Sequence, residues 1–287
     1  VMLAGIGKVL KRELGIPVFG FLQGEDSFLD SLLPEYRNEA WKLLSADVTL
    51  LDGCISPSRY FGDFMSERLG LKSESVRCHP NGITMDGFDP LETPPAKLTL
   101  GYLARLCPLK GLDILVDAFL LLKDTGKYPD LSLEMAGGMT ADDEPFVDEQ
   151  RRKLMQAGLD GSFVFHPNVN REQKIDFLRK LTVFSVPARY PEAFGLYVVE
   201  ALAAGVPVVL PDSGAFPELV EQTQGGCIYR PNEPSALVEA LEPLLDNPDQ
   251  AKRMGIVGHQ SVARDFSNEK LAVHLVENIL APLQRRI

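Results

Sequence analysis

The sequence has 287 residues and a mass of 31.6 kDa, with 45% apolar and 24% charged side chains, the balance of one large or two ordinary globular domains and not of a disordered chain. Asp and Glu outnumber Lys and Arg 40 to 29, and the net charge of −11 argues against nucleic acid and against broad docking on an anionic membrane, although a few clustered cations would still hold one small anion. No apolar run reaches the roughly 18 residues of a bilayer span, no secretory leader pattern opens the chain, and Cys54, Cys78, Cys107 and Cys227 form no CxxC, so a reducing, cytoplasmic setting without a structural metal or disulfide is expected.

In chain order the pattern predicts a helix over 1–14, a strand over 17–22, and a short helix over 28–33 capped by Asp26 or Ser27. A helix over 34–44, a strand over 48–55, a helix over 58–69 and a strand over 75–79 follow. Residues 89–97 are proline-rich and polar and read as a linker. Beyond it, strands over 98–103, 131–136, 163–166, 182–186 and 206–210 alternate with helices over 112–123, 145–157, 171–180, 195–204 and 217–222. The strands are almost continuously apolar, as expected of strands buried on both faces of a parallel sheet, and the alternation predicts an α/β fold with right-handed crossovers. Three consecutive helices, over 235–245, 249–266 and 268–280, form the tail.

Two places carry residues that are costly without a ligand. Lys110 stands at the start of the 112–123 helix, facing the positive end of its dipole, and Arg105 is on the same turn; an anion between them would reverse that penalty, and a solvated turn is the plain alternative. Glu200 is the single charged residue between Gly195 and Ala204, in a helix otherwise apolar all round. Its carboxylate needs hydrogen-bond donors, either ligand hydroxyls or a backbone or arginine partner. Glu192 precedes that helix on a loop, and the backbone of Phe194, Gly195 and Leu196 is a second place for an anion or hydroxyl. In open α/β sheets ligands bind beyond the carboxyl ends of the strands, where both places are predicted. Gly137 and Gly138 end a strand and either admit a ligand to the backbone or make a tight turn. His166 ends the next strand and either lines the crevice or is structural. Gln23-Gly24-Glu25-Asp26 follows the first strand, and its acids are read first as a helix-capping cluster.

At these residues the chain resembles the retaining family 4 glycosyltransferases of the GT-B fold. The resemblance rests on four motifs in the family's order and spacing: His79-Pro-Asn-Gly-Ile83 with Phe88; Gly101…Arg105…Lys110-Gly111; Ala136-Gly-Gly138; and Glu192…Glu200 followed by Ala201-Leu-Ala-Ala-Gly-Val-Pro207. It implies two Rossmann-like parallel-sheet domains with a helical tail: an incomplete acceptor-side domain over 1–92, a donor-nucleotide domain over 93–266, and a C-terminal helix over 267–287 packing back toward the first domain. It implies transfer of a sugar from a nucleotide diphosphate donor to a glycan, lipid or small-molecule acceptor, with no metal or other cofactor. Arg105, Lys110 and Glu192 would be catalytic: the cations hold the diphosphate, and the carboxylate holds the donor sugar. Gly137, Gly138, His166, Phe194, Gly195, Leu196 and Glu200 would bind the donor, Glu200 through the ribose hydroxyls.

There are two departures. Family members carry a further strand and glycine-rich loop in front of residue 1, so this stretch alone is expected to be inactive. Many relatives also carry a histidine after the strand corresponding to 17–22, where Glu25 and Asp26 are weak acceptor-side substitutes. A non-catalytic sugar-nucleotide binding module is the alternative reading. A dinucleotide-dependent oxidoreductase is disfavoured by the lack of a GxGxxG after a strand, and an epimerase by the double-glutamate context.

Overall fold

The non-alternating apolar runs become strands paired only in parallel, in two sheets. In this computed structural model residues 1–280 are described, and they divide into two units. The first holds Val1–Gly82, Glu192–Phe194 and the described residues from Glu269 to Leu280; the second holds Ile83–Pro191 and Gly195–Asn268.

The first unit has a three-stranded sheet in the order β1 (Phe19–Phe21), β2 (Gly53–Ser56), β3 (Val76–Cys78). Helices α1 (Ala4–Leu14), α2 (Glu25–Ser31), α3 (Pro34–Val48) and α4 (Arg59–Leu69) accompany it. Leu22, Leu29, Cys54, Phe61 and Met65 form its core. Ser58 caps α4 by accepting from the Phe61 N–H at 3.0 Å, and Gly70, at φ 67, ends it. The strand predicted over 48–55 is real only from Gly53. Residues 49–52 are turns closed by Leu50 N–H to Asp47 C=O and Leu51 N–H to Val48 C=O, both 3.1 Å; of the two leucines that suggested a strand, Leu51 packs on the core from those turns and Leu50 is exposed. Helix α2 starts at Glu25, earlier than predicted; Gly24, at φ 103, provides the entry, and neither Asp26 nor Ser27 caps it.

The second unit is a six-stranded sheet in the order β6 (Phe163–Pro167), β5 (Ser132–Gly137), β4 (Thr99–Leu103), β7 (Val183–Phe184), β8 (Val208–Pro211), β9 (Gly226–Tyr229). Between the strands run α5 (Leu112–Asp124), α6 (Glu144–Gln156), α7 (Arg171–Arg179), α8 (Leu196–Ala203) and α9 (Phe216–Thr223), and α10 (Pro234–Asp246) and α11 (Pro248–Asp265) follow. Tyr102, Phe119, Phe184, Phe216 and Phe266 are fully buried between these layers. Strand β9 escapes the sequence pattern: it is four residues long and opens on Gly225-Gly226, whose missing Cβ atoms let the chain lie against Gly258 and the Val208 carbonyl.

The tail continues as α12 (Asn268–His274) and then a π-helical stretch, Leu275–Leu280. The part of the predicted 267–287 helix that falls on 281–287 lies outside the described residues. No described helix is long and apolar enough to cross a membrane.

Candidate functional site

Because every strand of the second sheet is parallel, all its carboxyl ends share one edge. Residues Arg105, Lys110, Gly137, Gly138, His166, Gly195, Leu196 and Glu200 lie at or just beyond that edge, after the four contiguous strands β6, β5, β4 and β7. The loops after β4 and β5 meet through main chain. Gly137, at φ 147, lies so close to Ala104 that a Cβ there would sit 1.7 Å from the Ala104 carbonyl oxygen, and Leu106 N–H donates to the Gly138 carbonyl at 2.9 Å. Only glycine fits at 137. Gly138 faces open space.

Arg105 is aimed by Asp143. Its Nε and Nη2 donate to the two carboxylate oxygens at 3.3 and 3.1 Å, and the Arg105 side chain keeps 57% exposure while that of Asp143 keeps 6%. Asp143 also accepts from the Thr140 N–H and hydroxyl, at 2.9 and 2.8 Å, in a capping box. Desolvation pushes the Asp143 carboxyl up, but the Thr140 donors and the Arg105 guanidinium outweigh it, and the net shift is below the ordinary carboxylate range. Arg105 itself is held above its usual value, first by its hydrogen bond to Asp143.

Lys110 closes a short 3-10 turn, Pro108–Lys110, and Gly111, at φ 69, links it to α5. Lys110 Nζ donates to Tyr190 Oη at 2.7 Å and lies 4.6 Å from the Tyr190 ring centre and 5.6 Å from that of Tyr197. The two rings attract the ammonium and limit its rotamers. The turn is pinned from below. A Cβ on Gly111 would meet the Pro187 carbonyl oxygen at 1.8 Å, and Arg189 N–H donates to the Leu109 carbonyl at 2.9 Å.

Glu200, in the second turn of α8, is met by Lys174, whose Nζ is 2.5 Å from Oε1. The partner its burial calls for is therefore a lysine of α7, neither of the protein groups expected. Gly195, at φ 93, opens α8 without a Cβ, which would lie 2.9 Å from the Phe216 ring, and Leu196 is 42% exposed. His166 Nε2 lies 3.1 Å from Glu134 Oε2, and its ring packs edge-on to Phe177 at 5.7 Å, so this imidazole already has protein partners.

Glu192 and Phe194 belong to the first unit and are buried there, 7% and 5% exposed. Their loop is anchored by Ser58 Oγ donating to the Ala193 carbonyl at 2.6 Å. Glu25 and Asp26 open α2. Glu25 is buried and accepts from Gln23 N–H at 2.9 Å, while burial raises the Asp26 carboxyl.

Sequence reasoning missed Asp143, Tyr190, Lys174 and Arg189. Thr140…Asp143 is a capping-box pattern that could have placed the acid, but polar partners from different loops leave no periodic trace. Among the described residues no group of three or more His, Cys, Asp or Glu is placed to hold a metal ion.

A family model described as "Glycosyl transferases group 1" matches residues 88–260. The chain is similar to the lipopolysaccharide core biosynthesis mannosyltransferase LpsB of Rhizobium meliloti (strain 1021), 32% identical over 183 residues covering 62% of this chain and 50% of that protein. It is also similar to the D-inositol 3-phosphate glycosyltransferase of Streptomyces scabiei (strain 87.22), 30% identical over 191 residues covering 62% of this chain and 42% of that protein. The chain thus spans about half the length of these relatives, or less. Among solved structures it is similar to Anabaena Alr3699/HepE in complex with UDP and glucose, with a TM-score of 0.78 over 98% of this chain and 76% of that one at 19% identity, a likeness of fold.

Proposed function

This chain belongs to the glycosyl transferases group 1 family and has an α/β fold of the GT-B type, and on that premise we propose that it is the donor-binding part of a glycosyltransferase that moves a sugar from a nucleotide diphosphate-sugar to an acceptor with retention at the anomeric carbon. In this reading the second unit is the donor unit and the first, with the tail, is the acceptor side. The observation that carries the reading is the pairing of two fixed cations with a main-chain floor: Arg105, locked by Asp143, and Lys110, boxed by two tyrosines, at the edge where Gly137 lets two loops touch. Such an edge suits a diphosphate, whose charge needs donors that do not reorganise. The names of the relatives and the UDP bound to HepE support the donor class.

The bond between the anomeric carbon and the donor phosphate oxygen breaks, and the electron pair leaves with the nucleotide diphosphate. Arg105 and Lys110 stabilise that charge, so no metal is called on. The acceptor hydroxyl bonds to the anomeric carbon on the leaving-group face, and its proton passes to the departing phosphate oxygen. Glu192 and the Phe194–Leu196 backbone hold the sugar, Glu200 the ribose, and Gly137, Gly138 and His166 line the nucleotide pocket. Glu25 and Asp26 stand on the acceptor side. The free cysteines fit a cytoplasmic setting.

The test is a thermal-shift panel of UDP, GDP and ADP and their sugars. A ligand at a hundred times its dissociation constant adds about 2.7 kcal/mol of stability, so one base family stands out. No shift with any member overturns the reading.

A further inference from the structure

The carboxylate assigned to the ribose is not alone: the structure sets a lysine against it from a neighbouring helix. Helix α7 starts on a full capping box, in which Asn170 Oδ1 accepts from Gln173 N–H at 2.9 Å and Gln173 Oε1 accepts from Asn170 N–H at 3.0 Å. Arg171 donates to the carbonyls of Thr84 and Asp86, at 3.2 and 2.6 Å, while Ile175, Phe177 and Leu178 are buried. The first turn of α7 is therefore fixed in rotation, and Lys174, next in line, has little choice of direction. On α8 the buried Val198, Val199 and Ala201 fix the face on which Glu200 emerges. The side chains of Lys174 and Glu200 keep 25% and 13% exposure. The bond between them uses Glu200 Oε1, and among the described residues Oε2 has no hydrogen-bond partner.

We infer that Lys174 is a positioning residue for nucleotide selection: it sets the plane of the Glu200 carboxylate so that the group accepts from the vicinal hydroxyls of a ribose, and thereby favours ribonucleotides over 2′-deoxyribonucleotides. This rests on the reading that Glu200 holds the ribose. A vicinal diol offers two donors side by side, and a carboxylate meets both only when its plane is fixed. A half-buried carboxylate with no cation would turn toward water, while one pinned at a single oxygen keeps the other oriented. A lysine ammonium donates along three directions, so it can hold Oε1 without covering the outer lone pairs.

The experiment is calorimetric titration of the chain with UDP, 2′-deoxy-UDP, GDP and 2′-deoxy-GDP, for the wild type, K174M, K174R and E200Q, each checked by circular dichroism for native melting. The wild type is expected to prefer the ribonucleotide. K174M is expected to lose about tenfold in affinity for the ribonucleotide and clearly less for its 2′-deoxy form, which keeps only the 3′-hydroxyl, and K174R to restore most of the preference. Equal losses for both nucleotides in K174M, or no loss, overturn the role of Lys174. If E200Q abolishes the ribose preference while K174M retains it, Lys174 alone falls. If E200Q keeps the wild-type preference, or the wild type has none, the ribose reading of Glu200 falls and the role of Lys174 falls with it.

Discussion

Arg189 closes on Asp113 through two parallel hydrogen bonds of 2.6 Å each, and the same guanidinium donates to the Pro108 carbonyl at 2.8 Å. The fork ties the loop after β7 to the turn that carries Lys110. Burial pushes the Asp113 carboxyl up, but the Arg189 guanidinium and the backbone N–H groups of Asp113 and Ile114 together outweigh it, and the net shift is downward. R189A therefore lets the turn wander. On the proposed function it is expected to lower kcat by about ten- to a hundredfold with little change in donor KM, since small misplacements cost rate before binding. R189K does not restore it, because lysine cannot make the fork. Steady-state kinetics of the two variants check this.

K110A removes one of the two cations assigned to the leaving group. On the proposed function turnover is expected to fall by about two orders of magnitude or more. D143N keeps the shape but weakens the hold on Arg105, and it is expected to fall between the wild type and R105A. Single-turnover rates at saturating donor separate these from binding losses, and a wild-type rate in K110A rejects the role.

Gly111 and Gly137 each face a carbonyl oxygen, where a Cβ would lie at 1.8 and 1.7 Å, and both have positive φ. G111A and G137A are expected to lose about 1–3 kcal/mol or more, because backbone must move to admit the methyl group. G138A, which meets nothing within 4 Å, is the neutral control. Urea unfolding of the three variants gives the comparison.

His79 and His274 stack 5.3 Å apart with their Nδ1 atoms 3.0 Å from each other, so one donates and the other accepts. Desolvation and then the neighbouring His274 lower the His79 pKa from its ordinary 6.5. The unfolded chain thus binds a proton that the folded chain resists. Stability is full above about pH 6.5 and falls as pH drops below it toward the lowered value. Hydrogen exchange along α12 at about pH 7.5 and 5.5 is expected to show faster opening in acid, and H274A to flatten the difference.

Most of the sheet of the second unit was legible because its strands are short and apolar, the inner ones buried on both faces; the predicted 98–103, 131–136 and 163–166 fall within a residue of β4, β5 and the half-exposed β6. Residues 48–52 misled because a leucine such as Leu51 can pack from a turn as well as from a strand, and β9 hid behind two glycines. Arg105, Lys110 and Glu200 could be singled out because an isolated charge beside apolar sequence is conspicuous. Tyr190, Lys174 and Arg189 could not, since what defines them is a partner 80, 26 and 76 positions away in the chain, and the capping-box spacing that marks Asp143 does not reveal its partner 38 positions away. The membership of Glu192 and Phe194 in the first unit is likewise a long-range fact: Ser58 holds their loop across 135 positions.

A sheet with all its strands running one way has a second edge, and none of the assigned residues of the second unit lies on it. Gly161, in the turn entering β6, sits on that edge, exposed, with ordinary backbone and nothing within 4 Å of where a side chain would grow. It is a natural anchoring point for a dye or a solid support. Burial raises the Cys54 thiol to about 11 and lifts Cys227 as well, so both are poor nucleophiles and the exposed Cys78 is the thiol to replace first. A reporter fixed through G161C would then test the proposed nucleotide capture from the far side of the sheet without touching the residues assigned to it.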